Sequence, residues 1–197
     1  MFSNIQRSRM AYFPMFIDMA KCKVLIVGGG KIASEKLEKL LEFSQDITLL
    51  SLTFDEKMLR LIEENTLPSL HRAYQKGDID GFDMVIVATN TIDLHQAIYK
   101  ESRGKRVWVN SVDDTAYCDF IFPSYVKEES LTIAFSTGGA SPAFAKHIRQ
   151  YFETKIPKSV GVFLKEMKAL RQSMPKGKER MHYFERRVSE YFHTHFR

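Results

Sequence analysis

A chain of 197 residues with 44% hydrophobic and 27% charged residues has the size and balance of one ordinary soluble domain plus an appendage. Its two cysteines, with no C-x-x-C spacing, exclude a disulfide scaffold and a thiolate zinc site and point to a reducing cytoplasm. The net charge of +5 is uneven: residues 151–197 hold 11 Lys and Arg against 5 Glu, a field that favours polyanions unless it is only a solvated helical surface.

No secretory leader is expected, because Pro14 and Asp18 interrupt the apolar stretch that follows Arg7 and Arg9. The uncharged run from Ser130 to Ala145 is shorter than the roughly 20 residues of a bilayer span and contains Gly138-Gly139 and Pro142. Tyr12 to Met19 alternates loosely and suggests an added strand. Cys22 to Val27 is a first core strand, and Lys31 to Phe43 is helical, with Ile32, Leu37, Leu40 and Leu41 on one stripe. A second strand over Asp46–Leu52 and a helix over Phe54–Glu64 follow, then a short strand within Ser69–Tyr74. Asp83–Ala88 is a buried strand, Thr91–Ser102 a helix and Arg106–Asn110 a further strand that places Trp108 in the core. This βαβαβ rhythm implies a parallel sheet.

After Asn110 the pattern changes. Phe120-Ile121-Phe122 and Leu131–Phe135 read as two strands joined through the polar stretch at Lys127-Glu128-Glu129. Ser141-Pro142 opens a helix, with serine as its cap and proline in its first turn. Pro157 ends that helix, a second runs from Val160 to Met174, and a third follows Gly177. The expected organisation is a dinucleotide-binding domain over 1–113, connecting strands over 114–140 and a basic helical region over 141–197.

The chemistry starts at Gly28-Gly29-Gly30-Lys31-Ile32-Ala33, directly after Val24-Leu25-Ile26-Val27. Gly28-x-Gly30-x-x-Ala33 between a strand and a helix is the fingerprint of a Rossmann-like nucleotide site. Gly28 turns the chain, Gly30 lets a pyrophosphate approach, and the helix N-terminus offers amides and a positive dipole end. The acidic ribose anchor of such folds is missing: Leu50-Ser51-Leu52-Thr53 stands in its place and Asp55 comes late. Ribose contacts then fall to backbone groups, Ser51 or Thr53. Thr89 and Asn90 follow one strand end and Asn110 lies at the next, where open sheets bind ligands, although turn and capping chemistry explains any one of them equally. Asp113 and Asp114 offer a carboxylate for proton transfer beside a cofactor, or form an ordinary acidic turn. The Gly138-Gly139 turn before Ser141 suits an anion if its amides are free. Lys146, His147 and Arg149 follow on that helix and would line a cleft or simply face solvent. His193 and His195 lack a third metal ligand, and His71 and His95 have no partner that the sequence names.

Taken in order, these motifs resemble the precorrin-2 dehydrogenase family, the dehydrogenase/ferrochelatase module of siroheme synthases. The resemblance runs from about Tyr12 to Gln150. It rests on Phe13-Pro14-Met15-Phe16-Ile17-Asp18, on Val27 to Lys36, and on Val87-Ala88-Thr89-Asn90. It continues through Val109-Asn110-Ser111-Val112-Asp113-Asp114, Phe120-Ile121-Phe122-Pro123-Ser124 and Ser136-Thr137-Gly138-Gly139-Ala140-Ser141-Pro142. It implies NAD-dependent oxidation of precorrin-2 to sirohydrochlorin, with ferrous iron insertion in some members. It implies NAD contacts at Lys31-Ile32 and Leu52-Thr53, largely through backbone, and an essential aspartate at Asp113. No fixed metal site is implied; iron would meet Asp113 only in passing. Thr137 stands where the family carries serine. The resemblance also implies a homodimer whose helices and strand excursions, the strands of 114–140 among them, intertwine across the two-fold. Thr137, Gly138, Gly139, Ser141 and His147 are the candidate residues toward a polycarboxylate substrate. Two other readings remain open to the sequence. A non-catalytic nucleotide sensor leaves the strand pair and basic tail without a purpose. Nucleic-acid binding lacks a recognisable reader motif.

Overall fold

The computed structural model of the protein describes residues 12–112 and 114–196. Five strands, β1 (Val24–Val27), β2 (Ile47–Ser51), β3 (Ser69–His71), β4 (Met84–Val87) and β5 (Trp108–Ser111), form one parallel sheet in the order β3-β2-β1-β4-β5. β1 and β4 are unbroken apolar quartets buried at every position, as central strands covered on both faces must be. They pair directly, Val24 with Met84 through Val27 with Val87. Leu25 and Val27 face one layer with Leu50, Val85, Val87, Ile98 and Val109, so Val24 and Ile26 face the other. A fully buried Val, Leu or Ile contributes about 1.5–3 kcal/mol relative to exposure, which makes this sheet the main source of stability.

Between the strands run α1 (Lys31–Leu41), α2 (Glu56–Asn65) and α3 (Ile92–Ser102). The first buries Ala33, Ser34, Leu37 and Leu40, spaced to fall on one face. The Asp55 carboxylate caps α2, accepting the Met58 amide at 2.7 Å. The irregular connection from β3 to β4 is held by side chains. Arg72 donates to both oxygens of Asp78, each at 2.7 Å, and holds that carboxyl below its ordinary range. The Tyr74 hydroxyl donates to Glu101 at 2.8 Å; burial, then this bond, raises the phenol above its usual value.

The chain separates into two compact units, with Phe122 onward in the second. There β6 (Ser124–Glu128) and β7 (Leu131–Phe135) form an antiparallel hairpin, followed by α4 (Pro142–Lys155), α5 (Val160–Ser173) and α6 (Lys178–His195). Ser141 caps α4, its hydroxyl accepting the Phe144 amide at 3.2 Å. The small core gathers Val126, Ile156 and Val160, with Phe135, Phe152 and Tyr191 around it. The Tyr191 ring stacks on Phe163 at 4.1 Å, and its hydroxyl meets Ser159 at 2.7 Å. No helix among the described residues is long and apolar enough to cross a membrane.

The α/β class, the parallel sheet, the small strand pair and the closing helices are as the sequence predicts. Three local expectations fail. Tyr12–Asp18 is irregular and leads into a 3₁₀ turn at Met19–Lys21, not a strand; Phe13 is 85% exposed, so its alternation has no sheet to face. Phe120–Phe122 is not a strand either. Pro123 supplies no amide, pairing starts at Ser124, and the expected polar connector Lys127-Glu128 lies inside β6. The hairpin turns at Glu129-Ser130, where Glu129 adopts φ 53°, as tight hairpin turns require. Trp108 is 42% exposed because β5 is an edge strand.

Candidate functional site

The strand order reverses between β1 and β4, and the carboxyl ends of three strands meet beside that switch point. Gly28 has φ +129°, and a Cβ on it would lie 2.2 Å from the Ala88 carbonyl oxygen, at the end of β4. A Cβ on Gly29 would lie 2.0 Å from the Thr53 carbonyl oxygen and 2.9 Å from Ser51 Oγ, past the end of β2. Asp55 closes the same junction by donating its amide to the Gly29 carbonyl at 2.7 Å. Its carboxylate is committed to the α2 cap, so it does not supply the missing ribose anchor.

Gly30 differs from both. Nothing lies within 4 Å of a Cβ built there, and it opens α1 with no side-chain cap. The first-turn amides of Lys31, Ile32 and Ala33 have no partner inside the helix, by helix geometry. This is an open, backbone-lined, electropositive cradle, and it fits a dinucleotide pyrophosphate. Leu52, 70% exposed, and Thr53 follow β2, with backbone and a hydroxyl to offer a ligand and no carboxylate.

Thr89 and Asn90 stand at the end of β4. The Thr89 carbonyl is held 2.9 Å from Nε2 of His95, a buried histidine whose Nδ1 has no partner among the described residues. Asn110 is not open to a ligand: it is buried, and its side-chain amide donates to the Phe120 carbonyl at 2.8 Å. It acts on the chain that follows β5. Asp113 lies outside the described residues. Asp114 uses its carboxylate to accept the Ala116 amide at 3.0 Å.

In the second unit, the expectation of free amides in the glycine turn is corrected. Gly138 donates to Ser136 Oγ, Ala140 to the Thr137 carbonyl and Ser141 to Thr137 Oγ1, each at 3.1 Å. The Thr137 hydroxyl thus builds the turn, Gly138 and Gly139 supply its positive φ, and Ser141 caps α4. His147 is exposed on α4, as is Lys146. His195 packs on Tyr191 at 4.4 Å, and His71 on Phe54 at 4.7 Å. No group of three or more His, Cys, Asp or Glu among the described residues is placed to hold a metal.

A cavity of about 540 Å³ lies at the opposite, amino ends of β4 and β5, lined by Asp83, Arg103, Arg106 and Trp108 among others. It has no phosphate-binding turn and is not the candidate site. Two contributors escape the sequence reading. Gly29 occupies a position the fingerprint leaves free, and only its closeness to Thr53 reveals the need for glycine. His95 is hidden because it falls on the buried stripe of α3 with Ile98 and Ser102, where an apolar residue is the default.

Residues 15–124 match the NAD(P)-binding family. The chain belongs to that family. Among curated proteins, it is 35% identical over 153 residues to a siroheme synthase of Pseudoalteromonas atlantica, covering 78% of this chain and 33% of that protein. It is 32% identical over 181 residues to the siroheme synthase of Methylococcus capsulatus, covering 90% of this chain and 38% of the relative. The chain therefore spans little more than a third of these relatives' length. A solved structure titled SirC, precorrin-2 dehydrogenase, superposes with a TM-score of 0.72 at 24% identity, over 87% of this chain and 86% of that one, and so shares the fold. The matches bear out the resemblance read from the motifs.

Proposed function

We propose that this NAD(P)-binding chain is a precorrin-2 dehydrogenase that uses NAD to form sirohydrochlorin in siroheme synthesis. The observation that carries the reading is the open cradle over Gly30 at the switch point, in a chain similar to siroheme synthases over more than three quarters of its length. Bound NAD supplies the hydride acceptor. Gly28 and Gly29 shape the turn, and the amides of Lys31 and Ile32 hold the pyrophosphate. Leu52 and Thr53 border the ribose, while Thr89 and Asn90 border the nicotinamide half. Oxidation also releases a proton, and Asp113 is the group proposed to accept it. The Gly138-Gly139 turn, with Thr137, Ser141 and His147, is proposed to face the substrate carboxylates, attracted by the basic residues beyond position 150. In this division of roles, residues 1–113 bind the cofactor, 114–140 together with the apolar faces of the helices that follow join two copies, and the basic residues of 141–197 attract substrate.

The second copy is proposed from the exposed apolar faces of the helical unit. Phe144 and Tyr151 stand seven residues apart on α4, and Met181, Val188 and Phe192 form a stripe on α6; all five are exposed. Large apolar residues repeated on one helix face are a signature of association.

The test is incubation with precorrin-2 and NAD, then with ferrous iron, following reduced coenzyme, sirohydrochlorin and siroheme separately. Coenzyme reduction matched by sirohydrochlorin is the expected result. Siroheme formed faster than without protein adds metal insertion, with iron as substrate. NAD binding without turnover favours a nucleotide sensor instead.

A further inference from the structure

β5 is the last strand of the sheet, and its alternate residues Val109 and Ser111 turn their amides and carbonyls away from β4. An open edge of this kind leaves such groups unmet. Here two consecutive residues meet all four. Asp119 donates its amide to the Val109 carbonyl at 2.7 Å and accepts the Val109 amide on Oδ2 at 2.9 Å. Cys118 accepts the Ser111 amide on Sγ at 3.2 Å, and its thiol donates to the Ser111 carbonyl at 3.1 Å. A carboxylate and a thiol thus stand in for a sixth strand.

Both are braced. Arg103 of α3 grips Asp119 through contacts of 2.8 and 2.5 Å, and lies 4.0 Å over the Tyr99 ring. Tyr99 in turn packs on Tyr117 at 5.5 Å. Burial pushes the Cys118 thiol up, which keeps on sulfur the hydrogen that the donation needs. The bond between Ser111 and Cys118 closes the ends of the intervening loop, as in compact surface loops. Val112 donates to the Val87 carbonyl at 2.9 Å, and the Asp114 carbonyl lies 3.4 Å from the Cys118 sulfur. The chain neighbours on both sides of Asp113 are therefore tied.

We propose that Cys118 and Asp119 are positioning residues for the oxidation: by completing the free edge of β5 they hold Val112 and Asp114, the chain neighbours of the proposed proton acceptor Asp113. The inference rests on the dehydrogenase reading above, but the closure itself is measured without coenzyme. Cys118→Ala and Cys118→Ser are compared with Cys22→Ser as the control thiol. Cys118→Ala raises hydrogen exchange over 112–118 by about fivefold or more, the loss of one net hydrogen bond, and leaves β1 and β4 unchanged. It keeps NAD affinity within about twofold and lowers kcat by roughly tenfold or more with less effect on KM, as displaced catalytic groups do. Cys118→Ser recovers part of both effects, because a hydroxyl gives and accepts in the same place, and Cys22→Ser changes neither. Asp119→Asn, which loses the charge-assisted grip of Arg103, gives the same split if Cys118→Ala does not fold. Unchanged exchange in both Cys118→Ala and Asp119→Asn overturns the proposal, and so does raised exchange with kcat intact. A wild-type protein that binds NAD but does not oxidise precorrin-2 removes the dehydrogenase reading and the positioning role together, while the exchange data still report whether the edge is closed.

Discussion

The two units of the chain solve the burial problem differently. In the sheet unit, every residue of β1 and β4 is buried, and the exposed chemistry is left to glycines and backbone at the strand ends. In the helical unit, α4, α5 and α6 bury few side chains and leave Phe144, Tyr151, Met181 and Phe192 exposed. The first closes its sheet core within one copy, with Phe13, Phe16 and Ile92 exposed outside that core, and its proposed cofactor role needs an unobstructed backbone. The second keeps apolar surface for something else, which the proposed homodimer supplies.

Substitutions at the three glycines break this contrast most severely. Gly28→Ala and Gly29→Ala place a methyl group against backbone, and each is expected to cost about 3 kcal/mol or more, through clash and strain, in urea unfolding followed by circular dichroism. Gly30→Ala meets open space and is expected to cost less than about 1 kcal/mol, yet to weaken NAD binding by roughly tenfold or more, because the methyl group occupies the pyrophosphate approach. Equal stability of all three variants would contradict the close approach of the strand ends.

In the helical unit, Phe192→Glu is expected to weaken self-association by about thirtyfold, the effect of losing one strong interface anchor of roughly 2 kcal/mol. Sedimentation should show the shift to monomer, with the unfolding of the sheet unit unchanged. A smaller effect is expected at Ser141→Ala. Loss of the α4 cap should cost about 1 kcal/mol and raise exchange in the first turn of that helix alone.

The smallest effect is electrostatic and belongs to the sheet unit. Asp78 is held below its ordinary range, first by the hydrogen bonds from Arg72, against the opposing push of burial. A depressed carboxylate contributes stability above its unfolded pKa and loses it as the pH falls through the folded value. Acid unfolding of wild type should therefore steepen below the ordinary aspartate range, and Asp78→Asn should flatten that limb without altering the neutral plateau's dependence on pH.

Much of the sheet unit was legible because its signals are local. Val24–Val27 and Met84–Val87 are apolar runs of strand length, and Gly28 and Gly30 follow directly. What was not legible depends on who sits beside whom. Trp108 reads as core until the strand order makes β5 an edge. Tyr12–Met19 alternates, but no neighbouring strand accepts it. Phe120-Ile121-Phe122 is more apolar than Ser124-Tyr125-Val126-Lys127-Glu128, yet the latter pairs with β7, because the turn at Glu129-Ser130 sets the register. At the site, Asn110 has the right residue type and position for a ligand contact, and only its bond to Phe120 shows that it faces inward.

The most direct test of the central claim is an anaerobic titration of purified protein and NAD with precorrin-2, recording reduced coenzyme and sirohydrochlorin in the same sample. The account predicts that the two products rise together in equal amounts, and that Asp113→Ala binds NAD as wild type does while forming neither. Sirohydrochlorin without reduced coenzyme, or unaltered turnover in Asp113→Ala, would contradict it.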